Sequence, residues 1–432
     1  MNAHYCLTCL ESGAELSDET LPLRNPDAKA PALLRTRYHQ TRFTPGPPDL
    51  GIYRFSDWLP IRRTLAGSCS PITFRSEALA SHLGLSQLLI TFCGYWPERG
   101  ARMLTGTFKE CEAYSVCARM WANDDRVLVV ASAGNTARAF IRVCSDNGIP
   151  LVVVVPQRNL PAVWSIGPVA PCVRVIAAAG DSDYSDAIAL AAIISDLPGF
   201  VAEGGARNVA RRDGMATTVL SAVDTTGEIP AHYFQAVGSG TGAIAAWEAN
   251  LRLIDSGDYG DRKMRLHLSQ NAPFAPIHDS WMNRSRDLVP IDEDDARRRI
   301  ALIGAKVLAN REPPYGLRGG LYDALADTGG TTGVVDNETA AAAANLFERL
   351  EGVDLEPAAA VAVAHLKAAV EAGQIGASEA VMLNVTGGGY RRIAAELDRR
   401  AIAPTCVIER DTFRPDAVSR IMTELFARRT YA

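Results

Sequence analysis

One lysine of this chain stands where its chemistry can matter. The chain has five lysines against thirty-nine arginines, and Lys109 closes the small-residue turn T-G-T-F-K at residues 105–109. Apolar residues then recur every three or four positions, which predicts an amphipathic helix. The helix dipole and partial burial would both disfavour an ammonium in its first turn. A neutral lysine can form a Schiff base with a carbonyl compound, but this stretch alone leaves a solvated lysine equally open.

Two later stretches share one design. The β-branched run at residues 127–131 leads into S-A-G-N-T at 132–136, and a second run at 233–237 leads into G-S-G-T-G at 238–242. A helical pattern follows each turn. Strand, small-residue turn and helix together place free backbone amides at a helix start, which suits a carboxylate or a phosphate. The sequence therefore predicts two anion sites built largely from backbone.

The order of four motifs carries a family resemblance. The lysine turn, S-A-G-N-T, G-S-G-T-G and N-V-T-G-G-G at 384–389 resemble the fold-type II pyridoxal-phosphate enzymes, and within them the threonine synthases. The strings at 94–98, 203–211 and 319–325 are most similar to cysteate synthases, a family that makes cysteate from O-phosphoserine and sulfite for coenzyme M. The similarity runs from about residue 53 to the last helix. It implies a β-replacement enzyme with pyridoxal 5'-phosphate as its cofactor.

The implied fold is α/β, like the β subunit of tryptophan synthase, with two doubly wound parallel-sheet lobes and the cofactor between them. Apolar runs at residues 88–92 and 200–202 predict strands, and the alternation of strands and helices after residue 127 also predicts a parallel sheet. We assign residues 1–50 to a cysteine-pair segment and an irregular arm over residues 25–51. Residues 51–111 and 205–432 form the large cofactor-binding lobe, including a last strand at 405–409, and residues 112–204 form a small mobile lobe.

The resemblance also implies roles in cofactor binding. Lys109 forms the covalent link to the cofactor, and Asn135 hydrogen-bonds its ring hydroxyl. Thr386 faces the pyridine nitrogen, which a hydroxyl cannot hold protonated as a carboxylate can, so the ring is a weaker electron sink. The cofactor phosphate is held by Gly238, Ser239, Gly240, Thr241 and Gly242.

We expect two further sets of residues to bind the substrate: the turn at residues 132–136 and a set of arginines. The α-carboxylate is expected on the backbone of Ser132, Ala133, Gly134 and Thr136. Phosphate and sulfite are both anions, and arginine suits their oxygens. Arg207 and Arg211 are the first candidates, because the segment before them departs from the threonine synthase pattern. Second choices are Arg99, Arg102 and Arg318.

Other functions remain open to different degrees. Threonine synthase, acting on O-phosphohomoserine, shares the cofactor residues, and so does an O-phosphoserine-dependent cysteine synthase. A dehydrogenase is disfavoured, because G-S-G-T-G is not the dinucleotide pattern G-x-G-x-x-G and lies past mid-chain.

The composition of the chain limits the kinds of molecule that it is expected to bind. A net charge of −5 and a pI near 5.9 argue against a nucleic-acid partner. The sequence contains neither an apolar run of about 18 residues nor a signal-peptide pattern. We therefore expect a cytoplasmic enzyme with small-molecule substrates, no membrane or nucleic-acid partner, and homo-oligomers. Cys6 and Cys9 form one C-x-x-C pair, which would supply only two of the four ligands of a structural zinc site. We predict no metal there.

Overall fold

The structure is a computed structural model that describes residues 4–132 and 134–427. Within these residues, no helix is long and apolar enough to cross a membrane. Three sheets carry the architecture, and two further strand pairs link parts of the chain.

The described strands, in chain order, are β1 (Tyr5–Cys9), β2 (Glu15–Leu16), β3 (Leu34–Tyr38), β4 (Ile72–Arg75), β5 (Leu88–Phe92), β6 (Tyr95–Trp96), β7 (Ala101–Arg102), β8 (Val127–Ala131), β9 (Leu151–Pro156), β10 (Trp164–Ile166), β11 (Val173–Ala178), β12 (Phe200–Ala202), β13 (His232–Ala236), β14 (Arg265–Asn271), β15 (Thr331–Val335), β16 (Val381–Val385), β17 (Arg399–Ala401) and β18 (Cys406–Ile408).

The described helices are α1 (Ala78–Leu83), α2 (Lys109–Arg119), α3 (Asn135–Asn147), α4 (Tyr184–Ser195), α5 (Val209–Thr226), α6 (Thr241–Ser256), α7 (Pro276–Met282), α8 (Glu293–Leu302), α9 (Leu321–Thr328), α10 (Asn337–Glu351), α11 (Pro357–Glu371), α12 (Tyr390–Glu396) and α13 (Pro415–Ala427).

The larger sheet has six strands in the order β15-β14-β13-β16-β5-β4. Its strands are parallel except for β4, which runs antiparallel to β5. The sequence predicted β5 with the same bounds, but it did not predict β15, whose T-T-G-V-V run contains a glycine and is only partly buried. Glycine is depleted in strands, so the propensity signal there is weak.

The second sheet is fully parallel, in the order β12-β8-β9-β11-β18. Its middle strand, L-V-V-V-V-P, is buried along its whole length, as expected for a strand covered on both faces. On one side, Val152, Val154 and Ile176 pack against Leu190 and Ile194 of α4. Two sheets, one fully and one largely parallel, with covering helices confirm the predicted α/β class.

The final strand lies in the other sheet from the one predicted. Residues 405–409 were expected in the large lobe, but β18 pairs in parallel with β11 at residues 176–178. Just before it, β17 pairs with β10, and Val418 and Met422 of α13 join the apolar core under α4. This returning segment covers an edge that β11 would otherwise leave unpaired. Strand order along a sequence does not reveal such a return.

The predicted irregular arm is also partly regular. It contains β3, which pairs antiparallel with β1 along residues 34–38 and completes a three-stranded sheet with β2. The L-R-T-R-Y run alternates buried and less buried residues, a period-two pattern that surrounding prolines and arginines mask. Cys6 and Cys9 lie on β1, and no metal-holding group of three His, Cys, Asp or Glu side chains occurs among the described residues.

Candidate active site

A cavity of about 360 Å³ lies where β8, β13 and β16 end. Parallel sheets present the carboxyl ends of their strands along one edge, where ligands bind. Ala133 lies outside the described residues. Every other first-choice site residue lines this one cavity: Lys109, Ser132, Gly134, Asn135, Thr136, Arg207, Arg211, Gly238, Ser239, Gly240, Thr241, Gly242 and Thr386.

Lys109 is the first residue of α2. The turn before it is tied down by Glu110, whose carboxylate accepts hydrogen bonds from the Thr105 backbone N–H at 2.6 Å and the Thr105 hydroxyl at 2.8 Å. Gly106 has φ +67°, and a Cβ there would lie 2.2 Å from the Tyr390 ring, so only glycine fits. The Lys109 side chain is 19% exposed, and burial lowers its pKa. Burial therefore moves Lys109 toward its neutral form, whereas the nearby acids Glu112 and Glu356 favour the ammonium.

A buried carboxylate contacts the lysine. Glu112, one helical turn later, accepts a hydrogen bond from Lys109 Nζ at 3.3 Å. Its other oxygen accepts from Arg211 Nη2 at 2.6 Å and from the Thr136 hydroxyl at 3.0 Å. Burial alone would raise the pKa of Glu112, but Arg211 and Lys109 outweigh it and hold that pKa below its usual value. Glu112 thus connects Lys109 with Thr136, in the turn at residues 132–136, and with Arg211 on α5.

The two candidate arginines differ in their partners. Arg211 Nε also lies 3.3 Å from Glu203, so its charge is matched by two carboxylates. Arg207 is half-buried, ends a short 3-10 turn at Gly205–Arg207, and makes no side-chain hydrogen bond or ion pair with another described residue. An unpaired guanidinium lining a cavity is ready to bind an anion.

Asn135 is held from both sides of its amide. Its Nδ2 donates to Glu356, and its Oδ1 accepts from Arg138 Nη2 at 2.5 Å. Arg138 in turn packs against the Trp164 and Tyr390 rings, with its guanidinium carbon 4.7 and 5.4 Å from their centroids. The amide orientation is therefore fixed, and the second Nδ2 hydrogen stays available to a ligand.

The turn before α3 is capped by its own serine. Ser132 Oγ accepts hydrogen bonds from the backbone N–H groups of Gly134 at 3.0 Å and Ala137 at 2.9 Å. The Ser132 side chain thus shapes the turn. The first backbone N–H groups of α3, at Asn135 and Thr136, have no intrahelical partner and belong to residues that line the cavity.

The turn before α6 is built from glycines packed against backbone and leucine. Gly240 has φ +75°, and a Cβ on it would lie 2.5 Å from Leu321; a Cβ on Gly238 would lie 3.1 Å from the Leu308 Cα. Ser239 and Thr241 hydroxyls bond each other at 2.8 Å. The turn thus presents the backbone amides of a sixteen-residue helix to the cavity, the arrangement that binds phosphate.

Thr386 follows β16 and is buried. Its backbone oxygen accepts from the Phe108 N–H at 3.0 Å, which ties it to the lysine turn. The Thr386 hydroxyl has no hydrogen-bond partner among the described side chains and backbone groups. Of the second-choice arginines, Arg99 stacks on Phe74 and Trp96 instead.

Arg102 is exposed on β7. Neither it nor Arg318 is among the residues that line the cavity. Arg99, Arg102 and Arg318 are close to site motifs in the sequence, but in the fold they lie outside the lining of the cavity.

Three buried acids at the site, Glu112, Glu203 and Glu356, and the positioning arginine Arg138 were not predicted from the sequence. One signal was readable: Glu112 lies three residues after Lys109, and Arg138 three residues after Asn135, a spacing that places two helical side chains on one face. Glu203 and Glu356 come from segments remote from the lysine, so only the fold brings them to it.

A larger cavity, of about 500 Å³, lies between the N-terminal sheet and α6. Two of its partly buried cations are already paired, Arg35 with Glu248 and Arg252 with Asp213. It contains neither a lysine nor any of the four motifs. The chemistry therefore belongs to the smaller cavity.

The residues at that cavity fit the expected cofactor. A lysine with a lowered pKa is present for the carbonyl group, a glycine turn at a helix start for the phosphate, an oriented amide for the ring hydroxyl, and an unpartnered hydroxyl for the ring nitrogen. Each group of the cofactor has a matching donor or nucleophile.

Comparison with known proteins gives the family. Residues 84–387 match the family described as pyridoxal-phosphate dependent enzyme. The chain is 45% identical over 406 residues to the cysteate synthase of Methanosarcina acetivorans, covering 94% of this chain and 96% of that protein. It is 51% identical over 375 residues to the cysteate synthase of Methanoculleus marisnigri, covering 86% of each.

Solved structures agree on the fold. Holo diaminopropionate ammonia lyase from Escherichia coli matches with a TM-score of 0.57 at 16% identity, over 83% of this chain and 95% of that one. Maize serine racemase matches with a TM-score of 0.54 at 15% identity, over 75% of this chain and 92% of that one. The predicted resemblance, fold and cofactor are confirmed: the chain belongs to the cysteate synthases, a branch of the pyridoxal-phosphate-dependent enzymes.

Proposed function

We propose that this enzyme converts O-phospho-L-serine and sulfite to L-cysteate and phosphate. The observation that carries the proposal is the near full-length identity of 45% to a cysteate synthase, together with a cavity that combines a lysine, two helix starts and an unpaired arginine. In this reaction the C–O bond to phosphate breaks, a C–S bond forms at the same carbon, and the α-proton is removed and returned.

When bound, pyridoxal phosphate supplies an electron sink for negative charge at the α-carbon of a joined amino acid. Lys109 Nζ takes the α-proton, because burial favours its neutral form. The helix start at Asn135 and Thr136 binds the substrate carboxylate through backbone N–H groups. The second Nδ2 hydrogen of Asn135 and the Thr386 hydroxyl orient the cofactor ring, as the family resemblance implies.

Arg207 binds the leaving phosphate and then the incoming sulfite. It is the better candidate of the two arginines, since Arg211 is paired with Glu112 and Glu203. One guanidinium can serve both anions in turn, because each presents oxygens that match its planar donors.

The first experiment measures phosphate release and product formation on the cofactor-loaded enzyme. O-phosphoserine alone should release phosphate, and added sulfite should yield cysteate, identified by NMR. The Lys109→Ala variant should lose the visible absorbance of the lysine-bound cofactor and the phosphate release with it.

Two outcomes would redirect the proposal. Threonine from O-phosphohomoserine, with O-phosphoserine inert, would indicate a threonine synthase. Cysteine formation with sulfide or thiosulfate, and no reaction with sulfite, would indicate an O-phosphoserine-dependent cysteine synthase.

A further inference from the structure

Glu112 is a fully buried carboxylate that does not line the cavity, yet contacts three groups that do. Its Oε2 faces Lys109 Nζ at 3.3 Å, and its Oε1 accepts from Arg211 at 2.6 Å and Thr136 at 3.0 Å. Burying a carboxylate is costly unless charge and hydrogen bonds compensate. The cost of burying Glu112 is therefore offset by its contacts with Lys109, Arg211 and Thr136, which all line the cavity.

The two acids of this cluster differ in their ionisation. Arg211 and Lys109 hold the pKa of Glu112 below its usual value, whereas burial raises the pKa of Glu203. Glu112 is therefore the acid whose negative charge the site stabilises, and it lies 3.3 Å from Lys109 Nζ. An anion in direct contact with the amine favours its uptake of a proton.

We propose that Glu112 is a positioning residue for the catalytic lysine, which holds Nζ in place and stabilises the ammonium formed when Lys109 takes the α-proton. In that step the Cα–H bond breaks, an N–H bond forms on Nζ, and the electron pair stays with the substrate. This inference rests on the proposed role of Lys109, and it assigns Arg211 to the same cluster rather than to the substrate.

Other charged groups face the same amine and must be considered together. Arg211 on α5 lowers the pKa of Lys109, and Glu356, which precedes α11, raises it. Glu203 also acts on Lys109 electrostatically, and the Tyr184 hydroxyl on α4 faces the Glu112, Glu203 and Arg211 cluster. Glu112 is the acid in hydrogen-bond contact with Nζ, so its removal should have the clearest effect.

The test uses the cofactor-loaded enzyme and needs no substrate. The visible absorbance of the bound cofactor is titrated against pH in wild type and in Glu112→Gln. Loss of an opposite charge at this distance should move the midpoint roughly one to three pH units to the acidic side. The acidic limb of the pH profile for phosphate release from O-phosphoserine should move in the same direction.

Glu110→Gln is the matched control. Glu110 is also fully buried on α2, but it bonds Thr105 rather than Lys109, and a glutamine oxygen can still accept those bonds. Its midpoint should stay at the wild-type value. Glu112→Asp, which keeps the charge, should shift the midpoint less than Glu112→Gln.

A second variant, expected to shift the midpoint in the opposite direction, keeps the test decisive if Glu112→Gln does not fold. Arg211→Gln removes a cation that lowers the pKa of Lys109, so its midpoint should move to the alkaline side. Unchanged midpoints in both variants, or shifts of the same sign, would overturn the inference. If wild type releases no phosphate from O-phosphoserine, the proposed function fails, but the absorbance titration still decides the role of Glu112.

Discussion

Two parts of the cavity lining are suited to anions by different means. The glycine turn at residues 238–242 uses backbone N–H groups at the start of α6. Its two hydroxyls bond each other, and Ser239 Oγ also accepts from the Thr241 backbone N–H. The charged wall, formed by Lys109, Arg207 and Arg211, uses side-chain cations. Within that wall, Lys109 and Arg211 have carboxylate partners, whereas Arg207 has none among the described residues.

Because of this difference, the glycine turn suits a ligand that stays bound, and the charged wall suits ligands that bind and leave in each cycle. Backbone amides are fixed by the helix and cannot titrate, so they suit a phosphate that stays bound through every cycle. Side-chain cations can change partner and protonation state, which suits a proton, a leaving phosphate and an incoming sulfite. A cation already paired with buried acids is costly to release, so we expect the substrate anions to bind Arg207, which has no partner among the described residues.

The strongest test of the glycine turn is Gly240→Ala. The substitution imposes left-handed strain and a Cβ 2.5 Å from Leu321, together costing about 2–5 kcal/mol. We expect cofactor affinity to fall roughly hundredfold or more, measured by titrating the cofactor-free protein with pyridoxal phosphate.

Gly257→Ala is the control for that variant. Gly257 ends the same helix, also at φ +75°, but a Cβ there meets nothing within 4 Å. It should lose a little stability and keep its cofactor affinity. Equal losses of affinity in both variants would contradict a specific role for the glycine turn.

The charged wall is tested next by comparing its two arginines. Arg207→Gln removes the proposed partner of the substrate phosphate, and a charged hydrogen bond is worth about 1.5–3 kcal/mol. The KM for O-phosphoserine should rise roughly tenfold to hundredfold, with cofactor absorbance unchanged. Steady-state kinetics of phosphate release provide the measurement.

Arg211→Gln should behave differently, with its main effect on the pH profile. Arg207→Lys should recover part of the affinity, since it restores charge without the planar donor pair. If Arg211→Gln raised the KM more than Arg207→Gln at every pH, the assignment of the two arginines would be reversed.

The comparison of the two parts of the cavity needs a pH range in which the protein stays folded. Burial lowers the pKa of His267 to about 3 and of His365 to about 4, from an ordinary 6.5. Both stay neutral in the folded protein at pH 5, while the unfolded chain takes up protons below about 6.5. Their contribution to stability is therefore present above pH 6.5 and is lost as pH falls toward the folded-state values.

The expected loss between pH 6.5 and 5 is about 1–2 kcal/mol per histidine, the smallest of these effects. Urea unfolding at the two pH values measures it. His365→Gln should show a weaker pH dependence than wild type, and an unchanged dependence would mean that other groups cause the acid sensitivity.

Much of the fold was readable from hydrophobic pattern. The predicted strands at residues 88–92 and 200–202 have the bounds that the structure shows, because short β-branched or apolar runs between turn signals specify strands locally. The pattern failed where context decides. β3 is masked by its arginines, β15 contains a glycine, and β18 returns to a sheet that its position in the sequence does not indicate.

The candidate site divides in the same way. The sequence by itself determined the lysine turn, the two small-residue turns and Thr386, because each depends on a short stretch of backbone whose residue types are local. Only the tertiary structure decided which charges meet. Glu203, Glu356 and Arg138 are remote in sequence from the lysine, and the pairing that occupies Arg211 but leaves Arg207 free depends on distances between separate elements, which no local pattern encodes.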